Sequence, residues 1–505
     1  MNKYLPIIFI PLLFSCEKIF HEHDYSEYLI LDKYEEKIHL INNIYVKLAG
    51  IHNNQYFSLL RRSDDINSYD KYDFRPFGFQ CDYIRIPQNL NDVIGPVYDK
   101  LYGAVINANK LITSFNENDT SELLGEVYFL RAYCYLKLTR LFGRPPLVKD
   151  IEVNYLLPKP SYHEVYDFIE SDLLKAIELL PDTYTESRVL NETPHKGSAK
   201  AILAEVYLSM AGYPVNDKTK YELAAKLAGE VIENAYYYGF TLLDDFADLW
   251  KEKNRYNKEN IFGLFFKPYS PDSTEYFNPN FLNSFNTIGQ GSFIPEFKFF
   301  NDFPHNYRKL VSITTGRYMY KEIPISETIE VLYYLKYNPL IDPCNYLKLV
   351  SSLKWKDPGE MFRPGTFKTI YLLRYAQTLL TYAEAKGHLG ELDESAFNAV
   401  NMVRRRSNKS DIHSTSAHDL QPGLTAAQFT DSVIWERAWE LFQEPDGRWF
   451  DIIRLDLKDK LSEYRYNDFD FPDVITPNYL TNDWYFYKIP QEDRWLNPNF
   501  EEEKE

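Results

Sequence analysis

The sequence is poor in the features that assign a function at a glance. Only four of its 505 residues are cysteine. Setting Cys16 aside, Cys81, Cys134 and Cys344 leave one thiol over in any pairing, so disulfides are not the scaffold. Cys134 falls on an apolar helical face, where a buried free thiol is expected. No Gly-x-Ser-x-Gly or His-Glu-x-x-His pattern occurs, which argues against the common hydrolase classes. Gly289-Gln290-Gly291-Ser292 lacks the lysine of a phosphate loop and reads as a turn. Positive charge is also short, with 56 Lys and Arg against 73 Asp and Glu. The resulting net charge of −17 would be repelled by nucleic-acid phosphates and anionic lipid headgroups.

Long apolar runs are missing too. The only candidate, Leu5 to Phe14, is about half of the roughly 20 residues a membrane span requires. Preceded by Lys3 and followed by Leu13-Phe14-Ser15-Cys16, it reads as a signal peptide over residues 1–15 ending in a bacterial lipobox. Cys16 is then the lipidated residue, and acyl chains at about 0.8 kcal/mol per buried methylene would anchor the chain without a protein span. Residues 16–30 are expected to form a tether. Within it, His21-Glu22-His23-Asp24 has metal-like composition but the position of a flexible linker, so no metal is assigned.

What the chain has in abundance is aromatic residues, 16% overall, with 42 Tyr and 34 Phe. Tyrosine joins a flat apolar face to a hydroxyl, which suits stacking on sugar rings or gripping extended peptides. Many of these rings are expected to do no more than pack between helices.

Helical periodicity organises most of the remainder. Leu123, Val127, Leu130, Cys134, Leu138 and Leu141 predict a helix over 121–141 with one inward stripe, stopped by Gly143-Arg144-Pro145-Pro146. Val165, Ile169, Leu173 and Ala176 predict its partner over 162–180. A second pair carries Ala199, Leu203 and Val206, then Tyr221, Ala224, Ala228 and Val231. A third begins at Leu372 and Leu373, runs through Ala376, Leu380 and Ala383, and continues in Phe397, Val400 and Val403. An earlier pair joins Ile41, Tyr45 and Leu48 to the segment from Tyr98 to Ile112. Alanines at successive turns let backbones approach closely, as in tetratricopeptide arrays. The expected fold is therefore mainly α, a tetratricopeptide-like scaffold of helix pairs with long irregular, partly β inserts.

Two such inserts break the helical pattern. Residues 64–91 hold Tyr69, Tyr72, Phe74, Phe77 and Tyr83 among polar, Pro and Gly residues. Residues 240–369 are rich in Pro, Asn, Tyr and Phe, with strand-like fragments at 261–266 and 331–337. Long irregular inserts of this composition are where function is expected. The candidate ligand-binding rings are Tyr69, Tyr72, Phe74, Phe77, Tyr83, Phe293, Tyr318, Tyr320 and Trp355. Their candidate polar partners are Asp64, Asp65, Asn67, Asn286 and Gln290, with Asp64 and Asp65 either accepting sugar hydroxyls or organising the loop. Adjacent carboxylates diverge, so this pair alone cannot serve as a glycosidase dyad.

Five motifs, in order, resemble the SusD/RagB family. They are Leu130-Arg131-Ala132-Tyr133 with its Gly143 to Pro146 exit, Lys196-Gly197-Ser198-Ala199 through Leu208, and Leu373-Arg374-Tyr375-Ala376 through Ala385. Asn401 to Arg406 follows, and then Glu436-Arg437-Ala438-Trp439-Glu440-Leu441 with Gly447-Arg448-Trp449-Phe450-Asp451 to Arg454. Departures include Tyr98 where Trp is common, Gln377 where an acid is common, and an acidic end from Glu501 to Glu505. The resemblance implies that residues 31–505 form one SusD-like domain. It further implies a lipoprotein of the outer membrane, facing the cell surface, which captures a glycan for a TonB-dependent SusC-like transporter. Peptide capture, as in RagB-like members, is the alternative. No catalytic residue, cofactor or nucleic-acid partner is implied. The charged cluster Glu436, Arg437, Glu440, Arg448, Asp451 and Arg454 is expected to be structural, because Glu436 and Glu440 share a helix face that arginines would satisfy.

Overall fold

The computed structural model describes residues 34–52, 63–68, 91–116, 119–152, 154, 156–184, 193–265, 293–315, 317–318, 321–322, 350–352, 369–464 and 482–500. Among these, helices dominate. The first six are α1 (Tyr34–Ile51), α2 (Asn91–Ser114), α3 (Glu122–Phe142), α4 (Tyr162–Leu179), α5 (Lys196–Ala211) and α6 (Lys220–Glu233). Each packs against the next.

Local chemistry fixes where these helices start and stop. The Ser121 side chain accepts from the Leu124 amide to open α3, and Gly143 closes it at φ 72°, a left-handed conformation that favours glycine. Ser161 and Glu164 form a reciprocal capping box at α4. One face of α4 is apolar, and Val165, Ile169, Leu173 and Ala176 are buried along it. Each fully buried Ile or Leu contributes about 1.5–3 kcal/mol. The segment α3 differs from its expected single inward stripe. Tyr133, Tyr135, Lys137 and Arg140 are buried with the aliphatic residues, because α2 and α4 flank it while Phe262 and Phe450 close over other faces.

After α6 the chain leaves the array, and it returns in α9 (Tyr375–Leu389). In space there is no gap, since α9 packs directly on α6, with Gly229 facing the Tyr382 ring. Then α10 (Glu394–Ser407) and α11 (Ala426–Glu440) pack on α9. At Gly387 any side chain would collide with Thr430, so this glycine permits the close crossing of α9 and α11. Two short helices, α7 (Phe297–Asp302) and α8 (Tyr307–Ser312), lie in the excursion. Helices α12 (Arg448–Arg454) and α13 (Gln491–Leu496) follow. At Gly212, in the turn after α5, a Cβ would run into the Arg454 carbonyl, which docks α12 against this turn.

The strands are short. β2 (Asn260–Leu264), which overlaps the expected 261–266 fragment, pairs antiparallel with β8 (Ile370–Arg374). This corrects the expected helix start. Leu372 and Leu373 sit in a fully buried strand, and helical geometry begins only at Tyr375. A run of five buried residues carries no period to separate strand from helix, so pairing with β2 decides the matter. The fragment 331–337 lies outside the described residues. One apolar cluster runs from Ile41 on α1 to Phe500. No described helix is long and apolar enough to cross a membrane.

Candidate ligand site at the bases of two inserts

The two inserts meet through a pair of short strands. β1 (Ile66–Ser68) opens the first insert and β3 (Phe293–Pro295) lies inside the second, and they pair antiparallel. Ile66 faces Pro295, Asn67 faces Ile294 and Ser68 faces Phe293. The Glu296 amide extends the contact by donating to the Asp65 carbonyl at 2.8 Å. Glu296 then caps α7, its carboxylate accepting from the Lys298 and Phe299 amides. Farther along the second insert, β4 (Ile313–Thr315) pairs with β7 (Val350–Ser352), and β5 (Arg317–Tyr318) with β6 (Lys321–Glu322). β7 also lies against β3.

The loop before β1 is held from below. The Arg448 guanidinium donates to both Asp64 carboxylate oxygens, at 2.8 and 2.7 Å, and its cationic carbon lies 4.7 Å from the Trp435 ring centroid. Asp64 and Arg448 are buried. Asp65 is buried beside it and accepts from Ser63 Oγ. Burial, then the neighbouring Asp64 charge, pushes the Asp65 carboxyl up to about 7. Of the two roles expected for this pair, the geometry gives loop organisation. Both carboxylates are buried.

The remaining candidates divide by position. Asn67 and Phe293 are brought onto the paired strands β1 and β3, and Tyr318 onto β5. Tyr69, Tyr72, Phe74, Phe77, Tyr83, Asn286, Gln290, Tyr320 and Trp355 lie outside the described residues, as does Cys16.

A layer of buried ion pairs joins the helix array to Glu259 and Arg308 of the second insert. Arg374 donates to Glu259 at 2.6 Å, Glu440 at 2.9 Å and Glu444 at 2.7 Å. Arg406 bridges Glu259 and Glu440, and Arg308 bridges Glu436 and Glu440. Arg437 joins Glu205 to Asp451, and Arg454 joins Glu384 to the same Asp451. Desolvation opposes the Glu384 charge, yet the facing Arg454 guanidinium and the nearby His388 imidazole hold Glu384 far below the usual carboxylate range. The expected cluster of Glu436, Arg437, Glu440, Arg448, Asp451 and Arg454 is thus a packed element, closed to solvent and to substrate.

Sequence reasoning did not identify Glu205, Glu259, Arg308, Glu384 and Glu444 as partners of this layer. The available signal was a charged residue on an otherwise apolar helix face, as with Glu205 on α5 and Glu384 on α9. Cys134 is a buried free thiol, pushed up by burial. Among the described residues, no group of His, Cys, Asp and Glu is arranged to hold a metal ion.

Comparison with known proteins is consistent from end to end. Residues 26–208 match a family model described as starch-binding associating with outer membrane, and residues 350–503 match the SusD family model. SusD-like protein P2 of Formosa agariphila is 28% identical over 437 residues, covering 81% of this chain and 80% of the relative. A SusD-like protein of Bacteroides ovatus is 25% identical over 431 residues, covering 79% and 70%. In fold, the chain is similar to a crystal structure of a SusD homolog from Bacteroides thetaiotaomicron, with TM-score 0.75 and 24% identity over 94% of this chain and 97% of the other. A second similar structure, solved with a xylogluco-oligosaccharide, has TM-score 0.64 and 20% identity over 91% and 98%.

Proposed function

We propose, from the premise that this chain belongs to the SusD/RagB family, that it captures an oligosaccharide at the outer membrane and delivers it to a TonB-dependent SusC-like transporter. In this reading Cys16 carries the lipid anchor, residues 31–505 act as one unit facing the cell surface, and the helix array contacts the transporter. The two aromatic inserts form the glycan platform. Binding is by stacking of rings on sugar faces with hydrogen bonds to hydroxyls, and it involves no catalytic group.

The observation that carries this reading is the pairing of β1 with β3. It brings together two segments more than two hundred residues apart whose composition separately suits carbohydrate. The similar structure holding a xylogluco-oligosaccharide supports a carbohydrate over a peptide.

Isothermal titration calorimetry of the purified protein against a panel of neutral polysaccharides and of peptides tests the ligand. Binding to at least one polysaccharide is expected, and binding to peptides alone would replace this reading with peptide capture. Metabolic labelling with a radioactive fatty acid tests the anchor, with label expected on the native protein and lost in Cys16→Ala. Co-purification with a barrel transporter tests delivery.

A further inference from the structure

A cleft of about 620 Å³ opens between α2, the loop after α3 and the C-terminal helix α13. It shares no lining residue with β1, β3 or the buried ion-pair layer. Its volume falls within the range of ordinary ligand pockets. Tyr98, Tyr102, Val148, Leu157, Ile489 and Phe500 give it an apolar floor.

The polar groups of that floor are already satisfied internally. The Tyr102 hydroxyl donates to the Pro146 carbonyl at 2.7 Å, and Asn497 Nδ2 donates to the Leu157 carbonyl at 2.9 Å. Asn109, behind the loop, donates to the Val148 and Asp150 carbonyls. Little is left there to receive sugar hydroxyls.

The mouth is different. Asp99, Asp150, Glu152 and Asp493 line the cleft, with Glu492 beside them, and none forms an ion pair with a Lys or Arg among the described residues. Among the described residues, Lys110 is the one cation in the lining. Partial burial, then the charge of Glu492, raises the Asp99 carboxyl, while burial followed by Asp99 raises Asp493. The two groups repel one another across the opening, and a cation placed between them would relieve both.

Apolar surface continues beyond the mouth. Leu156, Trp495 and Leu496 are 65%, 67% and 58% exposed, so the sticky area extends past what a small ion or amine would cover. The two terminal segments do not match it. The segment after Phe500 is Glu501-Glu502-Glu503-Lys504-Glu505, and the stretch from Glu17 to Asp32 carries more acid than base. Both would add negative charge to a negative mouth.

We propose that this cleft is a second docking site, taking a segment of a partner protein that presents an arginine or lysine between apolar side chains. The cationic group sits between Asp99 and Asp493, and its apolar neighbours cover Leu496, Trp495 and the tyrosine floor. The site acts independently of glycan capture by the inserts.

The test is calorimetry on the purified protein with the tripeptide acetyl-Leu-Arg-Leu-amide, its isosteric citrulline analogue, and arginine amide alone. Binding of the arginine tripeptide is expected, weakened roughly 10-fold by citrulline and by either Asp99→Asn or Asp493→Asn, as loss of a charge-assisted hydrogen bond requires. Leu496→Ser is expected to weaken the tripeptide while leaving arginine amide unchanged. High salt weakens all binding to this mouth. Because Asp99→Asn and Asp493→Asn relieve repulsion, melting temperatures at or above that of the native protein are expected, so lost binding would not reflect lost folding. Equal affinity for the citrulline analogue, no effect of Asp493→Asn, or no binding at millimolar peptide would each overturn the proposal. Arginine amide binding as tightly as the tripeptide would also overturn it, by reducing the occupant to a small cation.

Discussion

The ion-pair layer and the insert roots use the same chemical vocabulary to opposite ends. In the layer, Arg374, Arg406 and Arg437 each touch two or more carboxylates drawn from different parts of the chain, so each arginine is held from several directions. At the first insert's root, Asp64 meets a single arginine, Arg448, and three strand rungs do the rest. Stability is thereby concentrated in the layer, while Asp64 rests on one ion pair.

The contrast can be broken most sharply inside the layer. Arg437→Met removes the paired guanidinium from buried Glu205 and leaves Asp451 with Arg454 alone, and the midpoint of denaturant unfolding is expected to fall by the equivalent of about 3–5 kcal/mol. A loss under about 1 kcal/mol would show that the layer does not concentrate stability.

The next effect belongs to the roots and depends on pH. Asp65, raised to about 7 in the folded chain against an ordinary value of 3.8, binds its proton more tightly when folded. Its stabilising contribution is fully present below about pH 4 and is lost as pH rises to about 7. Asp65→Asn is neutral throughout. Unfolding measured from pH 4 to 8 should therefore show the variant gaining on the native protein up to about pH 7 and holding a constant advantage above it. Parallel curves would remove Asp65 as a source of weakness at this root.

Smaller still is the capping effect at the array's edge. Ser161→Ala deletes the box at the start of α4 and is expected to cost about 1 kcal/mol, seen as a modest drop in melting temperature with unchanged ligand affinity. Least of all for stability are the rings of the inserts. Tyr69→Ala and Tyr83→Ala should leave melting within about 0.5 kcal/mol of native. Each should weaken glycan affinity by about 2- to 10-fold if that ring stacks on sugar. A large loss of stability with no change in affinity would reverse the division of labour between the two regions.

How much of this was readable beforehand depends on which forces act locally. The helices α3 to α6 follow directly from periodicity, capping residues and breakers, because those signals lie within a few turns of the residues they govern. The stacking of α9 on α6 was not readable, since it is decided by alanine and glycine surfaces separated by an excursion of more than a hundred residues. The same holds for Leu372 and Leu373, whose strand geometry depends on β2. At the candidate site, composition located the inserts and named Asn67 and Phe293, which strand pairing brings near one another. It could not distinguish the roles of Asp64 and Asp65, because the arginine that claims Asp64 stands 384 residues away.

The β1 to β3 pairing also bears on how such a protein diversifies. Each strand supplies the other's backbone partners, so an insert exchanged alone by recombination would leave a three-rung edge facing a stranger of uncertain register. Ligand preference in this architecture is then inherited as a matched set of two distant exchanges, or altered one side chain at a time beyond the clasp.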